Sequence, residues 1–251
     1  KNLPLPDGAE ITAKNTYVLF DYQLTSQGVT NDGEYFYFSG NKHLGKADME
    51  TGEIFLINTN AIPEALQEKG CNHIGGLSYY NGYIYAGLED SKVWDYPIIG
   101  VFDAETLELV NYYIMDSEKI TRGLPWVCVD SETGYLYCTD HSKNPTVLLV
   151  YDVGNDMNPV DEIALESSPY AIQGAEFYGG TLYAATNDDT QAIYKIDPSN
   201  GKVEKYLDRN LTSGSEGEGM AFMKKDGKTV LVAMDMGPLF INAFVREYPF
   251  E

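Results

Sequence analysis

The three histidines of the chain are the side chains whose chemistry is easiest to predict from residue type. They are His43, His73 and His141. An imidazole titrates near neutral pH, so each ring can act as a general base, a general acid or a metal ligand. Arg122 adds a planar cation that can bind a carboxylate, phosphate or sulfate through two parallel hydrogen bonds. This set predicts acid–base chemistry, or binding, on a small polar or anionic molecule.

Carboxyl groups complete the candidate site. A carboxyl group that is buried without a cationic partner has a raised pKa, as a general acid requires. We assign catalysis to His73, Arg122, Glu176 and Glu218. We assign substrate contacts to Gln27, His43, Trp94, His141 and Gln173. Asp140 and Asp235 are hard oxygen ligands for calcium or another divalent metal, or else they cap turns.

Structural roles compete with these assignments. Arg122 could pair with Glu216 or Glu218 rather than with a ligand, and a histidine could simply bond a loop carbonyl. Gln27, Gln173 and Glu218 all stand one residue before a recurring glycine. In that position they could serve only to bond backbone groups of the neighbouring repeat.

A repeated sequence pattern predicts the elements that position these residues. A glycine, a short apolar strand, a second glycine in a turn and a strand rich in tyrosine recur along the chain. The leading glycines are 45 to 51 residues apart, at Gly28, Gly76, Gly123, Gly174 and Gly219. Four short antiparallel strands at a period in the forties are typical of a β-propeller blade. A solenoid is the alternative.

The two ends of the chain favour a closed ring over a solenoid. The fifth unit is too short to hold its fourth strand, while residues 16–24 predict a strand before the first unit. That strand can complete the last blade and remove an exposed sheet edge. We therefore predict an all-β, five-bladed β-propeller over residues 16–251, after an arm at 1–15. The predicted blades are about 26–70, 71–118, 119–168, 169–212, and 213–251 plus 16–25, with one short helix within 61–69.

Propeller geometry predicts where the candidate residues meet. The loop leading into each innermost strand and the loop between the second and third strands lie on the same face. All three histidines and Arg122 fall in such loops. The residues that precede the leading glycines differ from unit to unit, whereas a multivalent lectin would repeat its site in every blade. We expect one asymmetric site at the mouth of the central channel.

Composition excludes some partners. The net charge is −21, from 17 Lys and Arg against 38 Asp and Glu. A nucleic-acid binder needs a basic face, and a membrane span needs about 20 consecutive apolar residues, so we expect neither. We expect a monomer that is secreted or extracytoplasmic, with its signal peptide removed and a lipid anchor on the N-terminal arm as an open option. Cys128 and Cys138 could face each other on one hairpin or serve as small apolar core residues.

The Gly-x-Tyr-x-Tyr pattern, as in Gly82–Tyr83–Ile84–Tyr85, resembles the broad superfamily of NHL-type and YncE-like propellers. That superfamily includes the gluconolactonase and strictosidine-synthase propellers. The resemblance implies a calcium ion in the channel. Its ligands would be Glu218, Asn187, Asp140 and Asp235, although His73 and Arg122 depart from that pattern.

Five-bladed arabinanase-like glycosidases are a second resemblance, by architecture. They imply a set of channel carboxylates, which here would be Glu176, Glu218 and Asp140. The expected function is a hydrolase or lyase that acts on a sugar acid, lactone or glycoside and needs no organic cofactor. The alternative is a non-catalytic propeller on the cell surface that binds a glycan or a protein.

Overall fold

The computed structural model of the protein describes residues 26–89 and 96–250, and the backbone of residues 15–19. These residues form five four-stranded antiparallel sheets, one for each repeat. The prediction of an all-β, five-bladed propeller is confirmed. No helix in the described part of the chain is long and apolar enough to cross a membrane.

In blades 1 to 4 the strands follow one another in chain order from the axis outwards. Blade 1 contains β2 (Val29–Asn31), β3 (Tyr35–Gly40), β4 (His43–Asp48) and β5 (Ile54–Asn58). Blade 2 contains β6 (His73–Tyr80), β7 (Tyr83–Glu89), β8 (Ile98–Asp103) and β9 (Leu109–Ile114). Blade 3 contains β10 (Val127–Val129), β11 (Tyr135–Cys138), β12 (Val147–Asp152) and β13 (Asn158–Ala164). Blade 4 contains β14 (Ile172–Tyr178), β15 (Thr181–Thr186), β16 (Ile193–Ile196) and β17 (Val203–Leu207).

Blade 5 closes the ring. It contains β18 (Glu216–Lys225), β19 (Lys228–Met236) and β20 (Ala243–Pro249), with β1 (Asn15–Leu19) as its outermost strand. β1 pairs with β20 from Asn15 opposite Glu247 to Leu19 opposite Ala243. β1 therefore completes the last sheet, as the sequence predicts. Residues 20–24 of the predicted strand lie outside the described residues.

Helical structure is confined to three short segments among the described residues. They are α1 (Glu64–Gln67) and two 3-10 turns, Val153–Asn155 and Pro238–Phe240. α1 lies between blades 1 and 2, within the predicted range, and begins directly after Pro63.

The recurring glycines mark the level at which the innermost strands meet. A Cβ atom on Gly28 would lie 2.7 Å from the Gly75 carbonyl oxygen, and one on Gly174 would lie 2.7 Å from the Gly219 Cα. A Cβ on Gly76 would lie 2.7 Å from the Gln173 carbonyl oxygen, across the ring from blade 2 to blade 4. Such contacts are closer than packed atoms allow, so only glycine fits. We call this level the glycine ring.

Blade 3 departs from the glycine ring. Trp126, rather than Gly123, takes the place beside Gly76, through a parallel bridge between the two innermost strands. The Trp126 side chain is fully buried, and its Nε1–H donates to the Thr139 hydroxyl at 3.0 Å. Trp126 therefore belongs to the core.

Five apolar clusters fill the spaces between neighbouring blades. The tyrosine-rich second strands supply one large side chain to each of four clusters, namely Tyr37, Tyr85, Tyr137 and Tyr183. This placement explains why tyrosine recurs in the repeat, since the rings fill the wedge between blades.

The cysteines are core residues. Cys128 pairs across its hairpin with Tyr137, whereas Cys138 pairs with Val127. Neighbouring positions on a strand point to opposite faces, so the two thiols belong to different inter-blade clusters. The hypothesis that they face each other is wrong, and Cys71, Cys128 and Cys138 are all buried and form no disulfide with one another.

Candidate active site on the upper face

Glu89 joins two of the histidines on the upper face, which we define as the face carrying the loops that lead into the innermost strands. His73 starts β6 directly opposite Glu89 at the end of β7. His141 lies in the loop after β11, and its Nδ1 is 2.8 Å from Glu89 Oε1. His73 Nδ1 is 3.6 Å from Glu89 Oε2. One carboxylate that is only 5% exposed thus serves two imidazoles from blades 2 and 3.

The two imidazoles are shifted in opposite directions. The hydrogen bond to Glu89 raises the pKa of His141, and the Glu89 and Asp140 charges add to the effect against partial burial. Burial lowers the pKa of His73, and the His141 charge lowers it further, against the attraction of Glu89. Near neutral pH, His141 therefore retains a proton more readily than His73. Two neighbouring titratable groups whose pKa values are shifted apart are typical of a catalytic acid and base.

The His73 ring has an unsatisfied nitrogen. Its Nδ1 is buried and has no hydrogen-bond partner among the described residues, because 3.6 Å to Glu89 is too long for a hydrogen bond. In both rings Nδ1 faces the carboxylate, which leaves Nε2 as the nitrogen farther from Glu89. The side chains of His73 and His141 are 27% and 39% exposed, so a solute can reach them.

Hydrogen bonds between two loops of blade 3 place Arg122 close to His141. The His141 N–H donates to the Gly123 carbonyl at 3.0 Å, and the Thr121 hydroxyl donates to Asp140 Oδ2 at 3.2 Å. These bonds hold the two upper loops of blade 3 together on either side of Arg122. The Arg122 side chain is exposed, and no residue in the described ranges forms an ion pair with it. Pairing with Glu216 or Glu218 is not observed.

A second charged cluster, in blade 5, was missed from the sequence. Asp235 accepts from Arg209 Nη2 at 2.7 Å and from Arg246 Nε and Nη2 at 2.7 and 3.0 Å. The Arg209 and Asp235 side chains are fully buried. Both carboxylate oxygens are bound by guanidinium groups, so Asp235 is an ion-pair anchor rather than an open metal ligand. Arg246, a cation in the middle of β20, was the available sequence signal.

Glu218 borders this blade 5 cluster. It lies in a bulge of β18 and is 4% exposed. Burial raises the pKa of Glu218 well above its usual value, and the Glu216 and Asp235 charges raise it further, against Arg209. Glu218 has the protonation expected of a general acid, but no contact with a described residue joins it to His73 or His141.

Glu176 lies below the glycine ring. It is two residues past Gly174 on its strand, whereas His73 is three residues before Gly76. At about 3.3 Å per residue, the backbone positions of Glu176 and His73 lie roughly 15 Å apart along the axis. Burial raises the pKa of Glu176 to about 7, although the Phe177 N–H donates to it at 3.1 Å. The predicted grouping of Glu176 with His73 in one site is therefore corrected.

The predicted substrate contacts are dispersed. Gln27 bonds the neighbouring blade through its backbone, since its carbonyl accepts from Gly219 N–H at 2.9 Å. Gln173 occupies a bulge in β14, and His43 begins β4 as a half-buried residue. Of this set, the structure brings only His141 to His73. Trp94 lies outside the described residues.

The predicted metal ligands are bound to protein groups. Asp140 accepts from Thr121 and from the Ser142 N–H, and Asn187 Oδ1 accepts from the Gly217 N–H at 3.0 Å. Within residues 26–89 and 96–250, no group of three or more His, Cys, Asp or Glu is arranged to hold a metal ion. Calcium binding stays a prediction.

Comparisons with solved structures support the fold. The structure of U3-55K matches with a TM-score of 0.53 at 12% identity, over 90% of this chain and 79% of that one. A nidogen/laminin complex matches with a TM-score of 0.52 at 12% identity, over 86% of this chain and 77% of that one. At such identities the likeness concerns the fold alone.

Sequence comparison gives a family rather than an activity. No curated protein matches the chain. The model of the DUF6923 family, described as a repeat of unknown function, matches residues 80–239, which is more than half of the chain. The matched segment runs from the end of β6 to the loop after β19, and so includes Glu89, Arg122 and His141. The chain belongs to the DUF6923 repeat family.

Proposed function

We propose that the upper face of blades 2 and 3 is the active site of a hydrolase or lyase that acts on a small polar or anionic substrate. A sugar acid, a lactone or a glycoside fits this description. One observation carries the proposal: His73 and His141 share the buried Glu89 carboxylate, and their pKa values are displaced in opposite directions.

The separated pKa values assign the roles. His73, which favours the neutral form, is the base: its Nε2 takes a proton from water or from a substrate carbon. His141, which favours the charged form, is the acid and gives its Nε2 proton to the leaving oxygen. The Glu89 carboxylate stabilises the imidazolium, first on His141 and then on His73. Exchange with water then returns both rings to their starting protonation. Positioned proton transfer of this kind typically contributes 10²–10⁴-fold to the rate.

Arg122 supplies recognition of charge. It is an exposed cation next to the His141 loop in a chain of net charge −21. A guanidinium group binds a carboxylate with two parallel hydrogen bonds, which also fixes the orientation of the substrate. This favours a substrate that carries an acid group over a neutral one.

Several finer features remain proposals from the sequence. They are secretion, a lipid anchor on the arm, a channel calcium ion, and a relationship to the NHL and gluconolactonase propellers. The acid–base site depends on none of them.

The test is a turnover screen of the purified full chain on sugar-acid lactones, uronate-containing disaccharides and aryl glycosides. On a substrate that is turned over, His73→Asn and His141→Asn should each lower kcat by about 100-fold or more. Arg122→Ala should act mainly through KM for acidic substrates. Lys143→Ala, an exposed cation on the same blade, is the matched control and should leave both constants unchanged.

Two outcomes would contradict the proposal. One is turnover that survives both histidine substitutions. The other is binding of these compounds by calorimetry, dependent on Arg122, without any turnover. The second result would replace catalysis by the non-catalytic binding function.

A further inference from the structure

We propose that Tyr170 on the upper face stacks against a sugar ring, so that the substrate of the proposed active site is an acidic saccharide of at least two rings. This inference rests on the proposed function and narrows its substrate class. It gives Tyr170 a role in specificity and none in proton transfer.

Tyr170 is an exposed aromatic side chain on the upper face. It lies in the loop that leads from β13 into β14, the innermost strand of blade 4, and it is 38% exposed. It belongs to none of the five clusters between blades. Within the described part of the chain, its ring contacts no other aromatic ring or cation, and its hydroxyl bonds no residue. Packing within the propeller therefore does not account for an aromatic residue at this position.

The neighbouring backbone holds this ring in place. Pro169 and Ile172 are buried, and Ala171 has a φ of 50°, in the left-handed region that L-residues rarely occupy. The Ala171 N–H donates to the Lys143 carbonyl at 2.8 Å, and its carbonyl accepts from the Asn187 N–H at 3.0 Å. Strained backbone that its surroundings maintain is a reason to look for function there. A fixed ring also loses little conformational freedom when it binds a ligand.

The same hydrogen bonds bring Tyr170 close to His141. Lys143 lies two residues after His141 in the upper loop of blade 3, and its carbonyl binds the residue next to Tyr170. Two extended residues, one hydrogen bond and one peptide link separate the two positions, so their Cα atoms lie at most roughly 15 Å apart. A molecule of two sugar rings can span such a distance. We therefore place the second ring, rather than the reacting one, on Tyr170.

The loop that carries His141 also contacts the loop that carries Arg122. The His141 N–H donates to the carbonyl of Gly123, the residue after Arg122, at 3.0 Å. The order of contacts along the upper face is thus Arg122, His141 and Tyr170. A disaccharide bound in this order has its acid group at the guanidinium, its scissile bond at the imidazoles and its second ring on the tyrosine.

The surroundings of the ring favour a sugar over a purely apolar guest. Glu166, Ser167 and Ser168 precede it in the same loop and are exposed. A sugar presents C–H groups that pack on an aromatic face, and hydroxyl groups at its edge that polar side chains and water can bond. An aromatic ring beside polar groups matches both sides of such a ligand.

The test is binding of acidic saccharides to the full chain, measured by saturation-transfer NMR and calorimetry at neutral pH. The probes are digalacturonate, dimannuronate and a hyaluronan disaccharide, with free galacturonate and glucuronate as single-ring ligands. For a disaccharide that binds, Tyr170→Ala should raise the Kd by about tenfold, because the stacking face is lost. Tyr170→Phe keeps that face and should keep the wild-type Kd. Neither variant should change the binding of single-ring ligands. A parallel series in His73→Asn keeps the disaccharide intact where wild type cleaves it.

Tyr83→Ala is the matched control, because Tyr83 is 41% exposed but starts β7 at the turn on the opposite face. It should bind like wild type, and circular dichroism melts of all variants should match wild type. Failure of every disaccharide to bind would overturn the proposal. So would an unchanged Kd in Tyr170→Ala, or an equal loss for single-ring ligands. Failure of the proposed function gives a different result, in which disaccharides bind in a Tyr170-dependent way and are not cleaved.

Discussion

Glu89 is the residue through which the candidate site acquires its chemistry. A carboxylate that is 5% exposed has little water to solvate it, and two imidazoles provide its polar surroundings. A full charge on both rings would leave a net positive charge in a partly buried place. His141 forms the short bond to Glu89, and His73 is left neutral beside it. The asymmetry between two equivalent residue types thus comes from distance and burial.

The His141–Glu89 bond predicts a pH dependence of stability. The folded-state pKa of His141 is raised, so its contribution is complete below the unfolded-state pKa and is lost as pH rises through the folded value. His141→Asn should therefore cost more free energy of unfolding at pH 5.5 than at pH 8.5. The difference should be at most about 1 kcal/mol, because the ring is partly exposed. Urea titrations at several pH values measure it, and a cost that does not change with pH would contradict the bond.

Glu176, below the glycine ring, also makes stability fall as pH rises, but here removing the titrating group should stabilise the fold. Burial raises its pKa to about 7, so ionisation destabilises the fold as pH rises from the unfolded value through the folded one. Glu176→Gln keeps the shape and the acceptor for the Phe177 N–H but cannot ionise. It should raise the free energy of unfolding by about 1–3 kcal/mol at pH 8.5 and by little at pH 4. If Glu176→Gln changed the free energy of unfolding equally at pH 8.5 and at pH 4, the raised pKa of Glu176 would be contradicted.

At the scale of elements, the innermost strands approach so closely that side chains are excluded at one level. This explains the leading glycine of the four units that form the glycine ring. The prediction is that Gly76→Ala lowers the free energy of unfolding by about 3 kcal/mol or more, since its Cβ would lie 2.7 Å from the Gln173 carbonyl oxygen. Gly45→Ala is the matched strand control, because its Cβ would meet only Ile54 at 3.6 Å. Similar costs in the two variants, measured by urea denaturation, would contradict the glycine ring.

The elements were predictable because they repeat locally, and the contacts between them were less so. Glycine spacing and tyrosine alternation follow from packing that recurs in each blade. The sharing of Glu89 by two blades depends on loop conformations that have no local signal. The cysteine pair shows the same limit, since a register difference of one residue moves Cys128 and Cys138 to opposite faces. Arg209 likewise meets Asp235 only through the packing of blade 4 against blade 5.

At the scale of the whole molecule, closure divides the axis into two regions. The glycine ring separates the upper face, with His73, Glu89 and His141, from the lower region that contains Glu176. One ring can therefore hold two sets of titrating groups that do not share a substrate. The upper loops of blades 2 and 3 differ from those of the other blades, and this asymmetry favours a single site. The fold supplies the scaffold, and the function depends on these few side chains.

The most direct test of the account is an NMR titration of the His73 and His141 imidazoles in the intact protein. The account predicts two separate transitions, with the pKa of His141 above the ordinary histidine value of about 6.5 and that of His73 below it. In Glu89→Gln, the His141 transition should move to lower pH, because the carboxylate that bonds the imidazolium is gone. Two histidines that titrate together, or transitions that Glu89→Gln leaves in place, would contradict the shared carboxylate and the acid–base site built on it.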